Sequence, residues 1–355
     1  MEKIGVIGLG AIGLPVATFF GLNGFEVIGI DKDQRIVEMV NRKEYVGSEV
    51  EVKELLPKSE VRASTNYEDV KDCSLVILTL PSTHNDFSVL EDVVRKLGDI
   101  NFKNDMIIST TVPPGFTEKL QKKYPDLKLS FVPMRTFERM VIEHFTVFPI
   151  LIGTFNKETY ERIAKYYQAC GCETFFCIPP VKAELSKLFS NVYRQVNFGL
   201  GNELGIVAKK YGCDPDEIVK FVNEFDYHRN LAKPGMWGGY CLPKDTRMLI
   251  EWVRKDHGIE LKLVENSEKI RQEAIEERVK EIVSLNPKSV GVIGVTYKPG
   301  IPDTRESPAM AVVEKLKERG LIVEIYDKVL GIGSLEKVNS CDAVVTLVDH
   351  DKVRE

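Results

Sequence analysis

No uninterrupted apolar run in the sequence approaches the roughly 20 residues that a helix needs to cross a bilayer; the longest candidates, around Ser74 to Leu80, are strand-sized. A transmembrane role is not expected. A strong excess of one charge is also missing. The 48 Lys and Arg stand against 53 Asp and Glu, a formal net charge of -5, without the concentrated basic face that nucleic acid or an anionic membrane would favour. The cysteines are seven, an odd and scattered set, which fits reduced cytosolic thiols and not a disulfide framework. Cys170, Cys172 and Cys177 cluster, but C-x-C-x4-C lacks paired zinc spacing and falls in a β-like run, so they are read as buried or half-buried apolar residues. The histidines, His84, His144, His228, His257 and His350, show no ligand-like spacing and are read as surface or packing residues; no metal is expected. Before the first strand pattern, in Met1 to Gly8, there is no charged segment leading into a long apolar stretch with a cleavage site, so a cytoplasmic protein is expected. Fixed-period repeats and low-complexity tracts are absent too.

What is present is an ordinary globular composition, 43% apolar and 28% charged over 355 residues, long enough for two or three domains with ample burial in each. The runs KIGVIGL, EVIGID, SLVILTL, MIIST, LKLSFVP, FPILIG and TFFCI alternate with helix-period or turn-forming stretches. That grammar predicts βαβ crossovers and a mostly parallel, doubly wound sheet. Pro179-Pro180 closes the region. From Val181 to about Tyr211 the pattern is helical and too long for an ordinary surface helix, ending at Gly212; such a helix joins domains or forms a dimer contact. A second helix starts with Asp214 as cap, Pro215 at the first position and Glu217 three residues after the cap. The glycine-rich stretch KPGMWGGYCLPKD follows, then helix to about Leu285. After Asn286-Pro287 the βαβ grammar restarts with SVGVIGV, a helix from about Ser307 to Arg319, LIVEIYD and DAVVTLV. The expected architecture is α/β: a Rossmann-type doubly wound sheet over residues 1–180, a central helical domain with a long connecting helix over 181–285, and a short C-terminal α/β domain over 286–355.

Gly8-Leu9-Gly10-Ala11-Ile12-Gly13 follows a strand and opens a helix, the context in which G-x-G-x-x-G binds a dinucleotide. The first glycine allows the tight turn, the second lets the backbone reach a pyrophosphate, and the third lets helix and strand pack closely. Asp31 ends the second strand at the expected offset, where it would accept from a ribose 2'-hydroxyl and repel a 2'-phosphate. NAD is therefore expected over NADP, with Lys32 and Arg35 as the cations nearby that weigh the other way. Further on, Lys187 and Asn191 are four apart on the long helix and project from one face, where both can bind one oxygen or water; a solvated helix face is the bland alternative. Cys241 stands just past Gly238-Gly239 and before Leu242-Pro243-Lys244-Asp245, where a loop becomes a helix. A thiol there would gain thiolate character from the helix end and from Lys244.

With these residues in view, AELSKLFSN, GNE, GGYCLPKDTRML and GVTYKPGIPDTRESPAM, together with STTVPPGFT and GLGAIG, make the chain similar, over almost its whole length, to the UDP-glucose/GDP-mannose dehydrogenase family, the nucleotide-sugar 6-dehydrogenases. The resemblance implies an NAD domain, a helical middle around a dimerising helix, and a C-terminal domain that grips a nucleotide sugar, in a homodimer or higher oligomer. It implies oxidation of the sugar C6 alcohol to a carboxylate with two NAD per turnover. Cys241 would be the nucleophile, Lys187 and Asn191 would steady the oxyanion, Asp245 would act as acid/base, and Thr111 and Glu138 would position the hydrolytic water. Lys32, Thr83, Lys244 and Arg305 would join the glycine loop and Asp31 at the cofactor. Gly235, Gly238, Lys298 and Arg229 would join Lys187 and Asn191 at the UDP-sugar. The chemistry is coherent: a thiolate that captures the aldehyde as a thiohemiacetal keeps the intermediate in place and readies the same carbon for a second oxidation.

The chain departs from the family pattern at several points. The segment Pro133-Met134-Arg135-Thr136-Phe137-Glu138 carries a methionine at one usual carboxylate position, leaving Glu138 as the candidate. PGMWGG is a residue shorter than usual, with Met236 or Trp237 near a glycine position. UDP-glucose is the first substrate expected, because GGYCLPKD carries Lys244; UDP-N-acetylmannosamine and then GDP-mannose follow. Two other classes stay open. A β-hydroxyacid dehydrogenase also pairs a glycine motif with a helical lysine and asparagine but needs no cysteine, and a nucleotide-sugar-binding protein without turnover would explain Met134.

Overall fold

The structure is a computed structural model that describes residues 2–47, 49–136, 140–224 and 230–351. The chain divides into two compact units, Met1–Phe189 and Ser190–Glu355. The long helix Val181–Lys210, 30 residues, runs across the division.

The first unit is built on strands β1 (Lys3–Ile7), β2 (Glu26–Ile30), β3 (Val61–Ser64), β4 (Leu75–Leu78), β5 (Asp105–Ile108), β6 (Lys128–Phe131), β7 (Ile150–Gly153) and β8 (Thr174–Cys177), in the sheet order β3-β2-β1-β4-β5-β6-β7-β8. The first six strands are parallel, in the order of a doubly wound dinucleotide fold; β7 runs antiparallel to β6, and β8 is parallel to β7. The order reverses between β1 and β4, so the loops leaving their carboxyl ends frame the crevice where such sheets bind ligands. β4 and β5 are buried at every position, as central parallel strands covered on both faces must be. β3 is a strand that the apolar pattern does not announce: Val-Arg-Ala-Ser on a sheet edge needs only one buried side chain, Val61.

Helix Gly13–Leu22 is buried from Gly13 to Gly21. Its Phe19 stacks on Phe145 with ring centroids 4.3 Å apart, and Phe20 meets Tyr167 edge to face. Met134 packs against the same core. The departure from the family's carboxylate thus adds an apolar side chain to a hydrophobic cluster. Cys170 and Cys172 are buried and Cys177 half-buried; burial pushes the Cys170 thiol up to about 12, which leaves it inert. Glu184, wholly buried in the first turn of the long helix, accepts from Gly115 N at 2.5 Å and Thr117 N at 2.9 Å, capping helix Phe116–Lys123. Burial raises its carboxyl above the ordinary range against the pull of those bonds.

In the second unit, helix Pro215–Glu224 is opened by Asp214, whose carboxylate accepts from Asp216 N at 3.0 Å. The helical stretch after the glycine-rich loop is two helices, Cys241–His257 and Lys262–Val283, separated at Gly258, which takes the left-handed conformation that ends the first. A three-stranded parallel sheet follows: β9 (Ser289–Ile293) in the centre, flanked by β10 (Ile322–Tyr326) and β11 (Ala343–Thr346). Helix Pro308–Glu318 starts at Ser307, whose hydroxyl accepts from Met310 N. Its Val312, Val313 and Leu316 pack with Val290 and Val292 of β9 and with Ile275, Val279 and Ile282 of helix Lys262–Val283. The apolar side chains of that long helix recur at the three- and four-residue spacing that makes one buried stripe.

Candidate active site

In the first unit, Gly8 takes φ +90 at the end of β1, and its carbonyl accepts from Thr79 Oγ1 at 2.7 Å across the switch point. A Cβ on Gly13 would stand 1.7 Å from Gly8 O, so no other residue lets the helix start so close to the strand. A Cβ on Gly10 would meet nothing within 4 Å; this face of the loop is open to a pyrophosphate, with Ala11 and Ile12 leading into the helix N-terminus. Asp31 accepts from Leu9 N at 2.8 Å through one carboxylate oxygen and from Asp33 N at 2.9 Å through the other. Each oxygen keeps a second lone pair, enough for a ribose diol. Arg35 is held bidentate by Asp33, at 2.7 and 3.0 Å, and this guanidinium holds the Asp33 carboxyl below its ordinary range. Lys32 is exposed. The acceptor set fits NAD. Asp31→Ala should raise the KM for NAD at least about tenfold, since hydrogen bonds to a charged group contribute about 1.5–3 kcal/mol, and should narrow the preference over NADP; initial rates with both cofactors measure this, and an unchanged KM counts against the assignment.

Thr83 is exposed, and its hydroxyl serves a local turn, accepting from Asp86 N at 3.0 Å and lying 3.1 Å from Asn85 Oδ1. Thr111 is half-buried in the loop after β5, its carbonyl 3.4 Å from Ser82 Oγ. Glu138, the expected water-positioning carboxylate, and Arg229 lie outside the described residues.

The second unit gathers most of the expected chemistry. Cys241 is the first residue of its 17-residue helix and is exposed. A helix end of this polarity favours a negative charge. Pro243 suits the first turn, where no N–H partner is lost. One turn further in, Asp245 is buried and receives Asn191 Nδ2 at 2.5 Å through Oδ2, while its Oδ1 lies 3.0 Å from Lys244 Nζ. Lys244 and Asp245 side chains are 7% and 1% exposed, so this is a buried ion pair. Lys244 spends its charge on Asp245, and its ammonium also lies 5.5 Å from the Tyr240 ring centroid. The lysine that the sequence places beside the thiol is therefore bound into the carboxylate's own support. Asp245 Oδ1 faces the Lys244 ammonium in this ion pair and has no other hydrogen-bond partner among the described residues. Lys187 belongs to the first unit and is half-buried, one turn before Asn191 on the long helix.

The Gly238–Cys241 turn meets the loop between β9 and helix Pro308–Glu318. Gly239 N donates to Glu306 O at 3.0 Å, and Gly239, at φ +90, lies so near Tyr297 that a Cβ would stand 2.5 Å from the ring. A Cβ on Gly238 would stand 2.3 Å from Glu306 O, whereas Gly235 is exposed with open space about it. The Arg305 guanidinium lies 4.3 Å from the Tyr240 ring centroid and is gripped by Asp303. Asp303 raises the basicity of Arg305 most, and Tyr240 and Cys241 add to it. Arg305 thus stands as a permanent cation over Tyr240, the residue before Cys241. Lys298 occupies the same loop, over the Tyr297 ring. The sequence reading missed the support beneath this site. Buried Gln195 accepts from Trp237 Nε1 at 2.9 Å and donates to Glu268 at 3.0 Å; Arg271, also buried, grips Glu268, and Glu306 takes Arg247. A polar residue on a long helix gives no sequence signal of such a partner.

Models of the UDP-glucose/GDP-mannose dehydrogenase family match the chain as its NAD binding domain over residues 2–170, its central domain over 181–273 and its UDP binding domain over 291–355. A UDP-N-acetyl-D-mannosamine dehydrogenase of Methanocaldococcus jannaschii is 28% identical over 377 residues, covering 99% of this chain and 87% of the relative. The solved UDP-N-acetylmannosamine dehydrogenase of Pyrococcus horikoshii superposes with TM-score 0.88 at 26% identity, over 98% of this chain and 89% of the other. A UDP-glucose dehydrogenase of Pyrobaculum islandicum shares the fold, with TM-score 0.90 at 24% identity over 99% and 91% of the two chains. The UDP binding domain sets aside the β-hydroxyacid alternative, and NAD is the cofactor. No helix among the described residues is long and apolar enough to cross a membrane. The chain belongs to the UDP-glucose/GDP-mannose dehydrogenase family.

Proposed function

We propose that this protein oxidises the C6 alcohol of a UDP-hexose to a carboxylate, with Cys241 holding the half-oxidised carbon. The observation that carries the reading is the exposed Cys241 at a helix start, one turn before a buried Asp245 fixed by Asn191 and Lys244. The Gly8–Gly13 loop and Asp31 would hold NAD, which would supply the hydride acceptor for each of the two oxidations. After the first, the Cys241 sulfur bonds to the aldehyde carbon and the carbonyl oxygen takes a proton, giving a thiohemiacetal that cannot diffuse away. Loss of hydride from that carbon and of the hydroxyl proton leaves a thioester. Water then adds, the carbon–sulfur bond breaks, and the thiol is regenerated as the carboxylate leaves. Asp245 accepts and returns the proton in these steps, and Lys187 and Asn191 stabilise the tetrahedral oxyanion, where preorganised donors act most strongly.

UDP-N-acetylmannosamine is the substrate to try first, because the relatives so named match over nearly the whole chain. UDP-glucose is the second reading, favoured by Lys244 in GGYCLPKD; the Lys244–Asp245 pair serves the chemistry with either sugar. The protein works as a homodimer through the long helix, whose Tyr193, Leu200, Leu204 and Val207 form an exposed apolar stripe. Counting NADH against sugar consumed tests the reaction. Two NADH per UDP-sugar, with a uronate as product, is the expected result. One NADH with an aldehyde product removes the cysteine route, and binding of UDP-sugar and NAD without NADH favours the non-enzyme alternative.

A further inference from the structure

In the three-stranded sheet of the second unit, β9 is central, and the loop leaving its carboxyl end carries Lys298 and Arg305. Both flanking strands send a buried polar side chain into this loop. Asp327, just after β10, accepts from Val295 N at 2.8 Å and Thr296 N at 3.4 Å through Oδ2, and from Val329 N and Leu330 N through Oδ1. His350, after β11, places Nε2 3.0 Å from Asp327 Oδ2, and its Nδ1 receives the Gly300 N–H at 3.0 Å. The two side chains are 3% and 0% exposed. A backbone N–H only donates, so Nδ1 carries the lone pair and the neutral ring has its proton on Nε2, facing Asp327. Sequence reasoning treats His350 as a packing or surface residue; the structure gives both of its nitrogens a partner.

The consequence falls on Lys298. Thr296 N is tethered to Asp327, Thr296 Oγ1 donates to Lys298 O at 3.0 Å, and Gly300 N is tethered to His350. Pro299 has no N–H, so Gly300 supplies the first backbone donor after Lys298. The segment Tyr297–Pro299 is thereby pinned at both ends. We infer that His350 is a positioning residue for nucleotide-sugar binding: through its Nδ1 and the Gly300 N–H it fixes the loop that presents Lys298 to the UDP moiety. The inference rests on the UDP-sugar reading above.

The two amide isosteres of histidine separate this role from simple support of the fold. In His350→Asn the amide oxygen falls near the place of Nδ1 and keeps an acceptor for Gly300. In His350→Gln the amide reaches toward the place of Nε2, keeping the bond to Asp327 but leaving Gly300 N–H without its acceptor. Titration calorimetry with UDP alone should show His350→Gln binding about tenfold more weakly than wild type and His350→Asn within about threefold, as expected for one lost buried hydrogen bond. The KM for the UDP-sugar should rise in parallel in His350→Gln while kcat stays within about twofold. Equal losses in both variants, or wild-type UDP affinity in His350→Gln, overturn the inference. Hydrogen exchange on the wild-type protein tests the tether even where a variant does not fold: the Gly300 amide should be protected like the strand amides of β9, and rapid exchange there overturns it. Wild-type protein that binds no UDP while Gly300 is protected refutes the UDP-sugar reading and leaves the tether standing.

Discussion

Cys241→Ala should abolish conversion of the nucleotide sugar to its uronate, a loss on the order of 10⁴-fold or more, as for removal of a covalent nucleophile. NAD affinity should stay within about twofold of wild type, because the cofactor loop and Asp31 belong to the first unit and are untouched. The fold should not suffer either. Cys241 is exposed at the first position of its helix, where no packing is lost and alanine is a good helix former. Stopped-flow NADH absorbance with product analysis reads the outcome. Any NADH formed by the variant comes from the alcohol-to-aldehyde step, so it should not exceed one equivalent per sugar. Uronate formation at the wild-type rate would show that the aldehyde is oxidised without the sulfur. Cys213, the other exposed cysteine, serves as the control: Cys213→Ala should leave turnover unchanged.

The parts of the site that the sequence declares are those built from neighbouring residues. Gly8 to Gly13 reads as a strand-to-helix turn because backbone geometry there admits only glycine at two places, and Cys241 reads as a helix start because Gly238-Gly239 precede it and Pro243 follows. The long helix is legible to within a residue at its end, since Gly212 must lie outside it. Strand β3 is not legible, because an edge strand of four residues with a single buried side chain has no apolar alternation to display. Nor is the break at Gly258, where the helical pattern resumes within a few residues on either side. The least legible features are pairings between distant segments. His350 with Gly300, 50 residues apart, and Trp237 with Gln195, 42 apart, involve polar side chains whose partners are chosen by the packing of whole elements. Lys244 illustrates the same limit at short range. Its position beside the cysteine is plain in GGYCLPKD, but its burial against Asp245 follows from how that helix face is covered.

That burial sets up the second large effect. Asp245→Asn should lower kcat by about 10²–10⁴-fold, the usual contribution of a general acid or base, and should also destabilise the protein by about 3 kcal/mol, because an amide leaves the buried Lys244 ammonium without its counter-charge. The amide oxygen can still accept from Asn191, so the geometry of the helix pair should hold. The two losses have different causes and should separate on addition of Lys244→Met. Removing the cation as well replaces a buried ion pair by groups that need no mutual compensation, which is often neutral for stability. The double variant should therefore recover most of the melting temperature while its kcat remains near that of Asp245→Asn alone. Thermal melts and steady-state rates for the four members of the cycle decide the matter. If kcat returns with stability, Asp245 acts only by neutralising Lys244. If the low rate persists in a protein that melts like wild type, the carboxylate itself handles the proton.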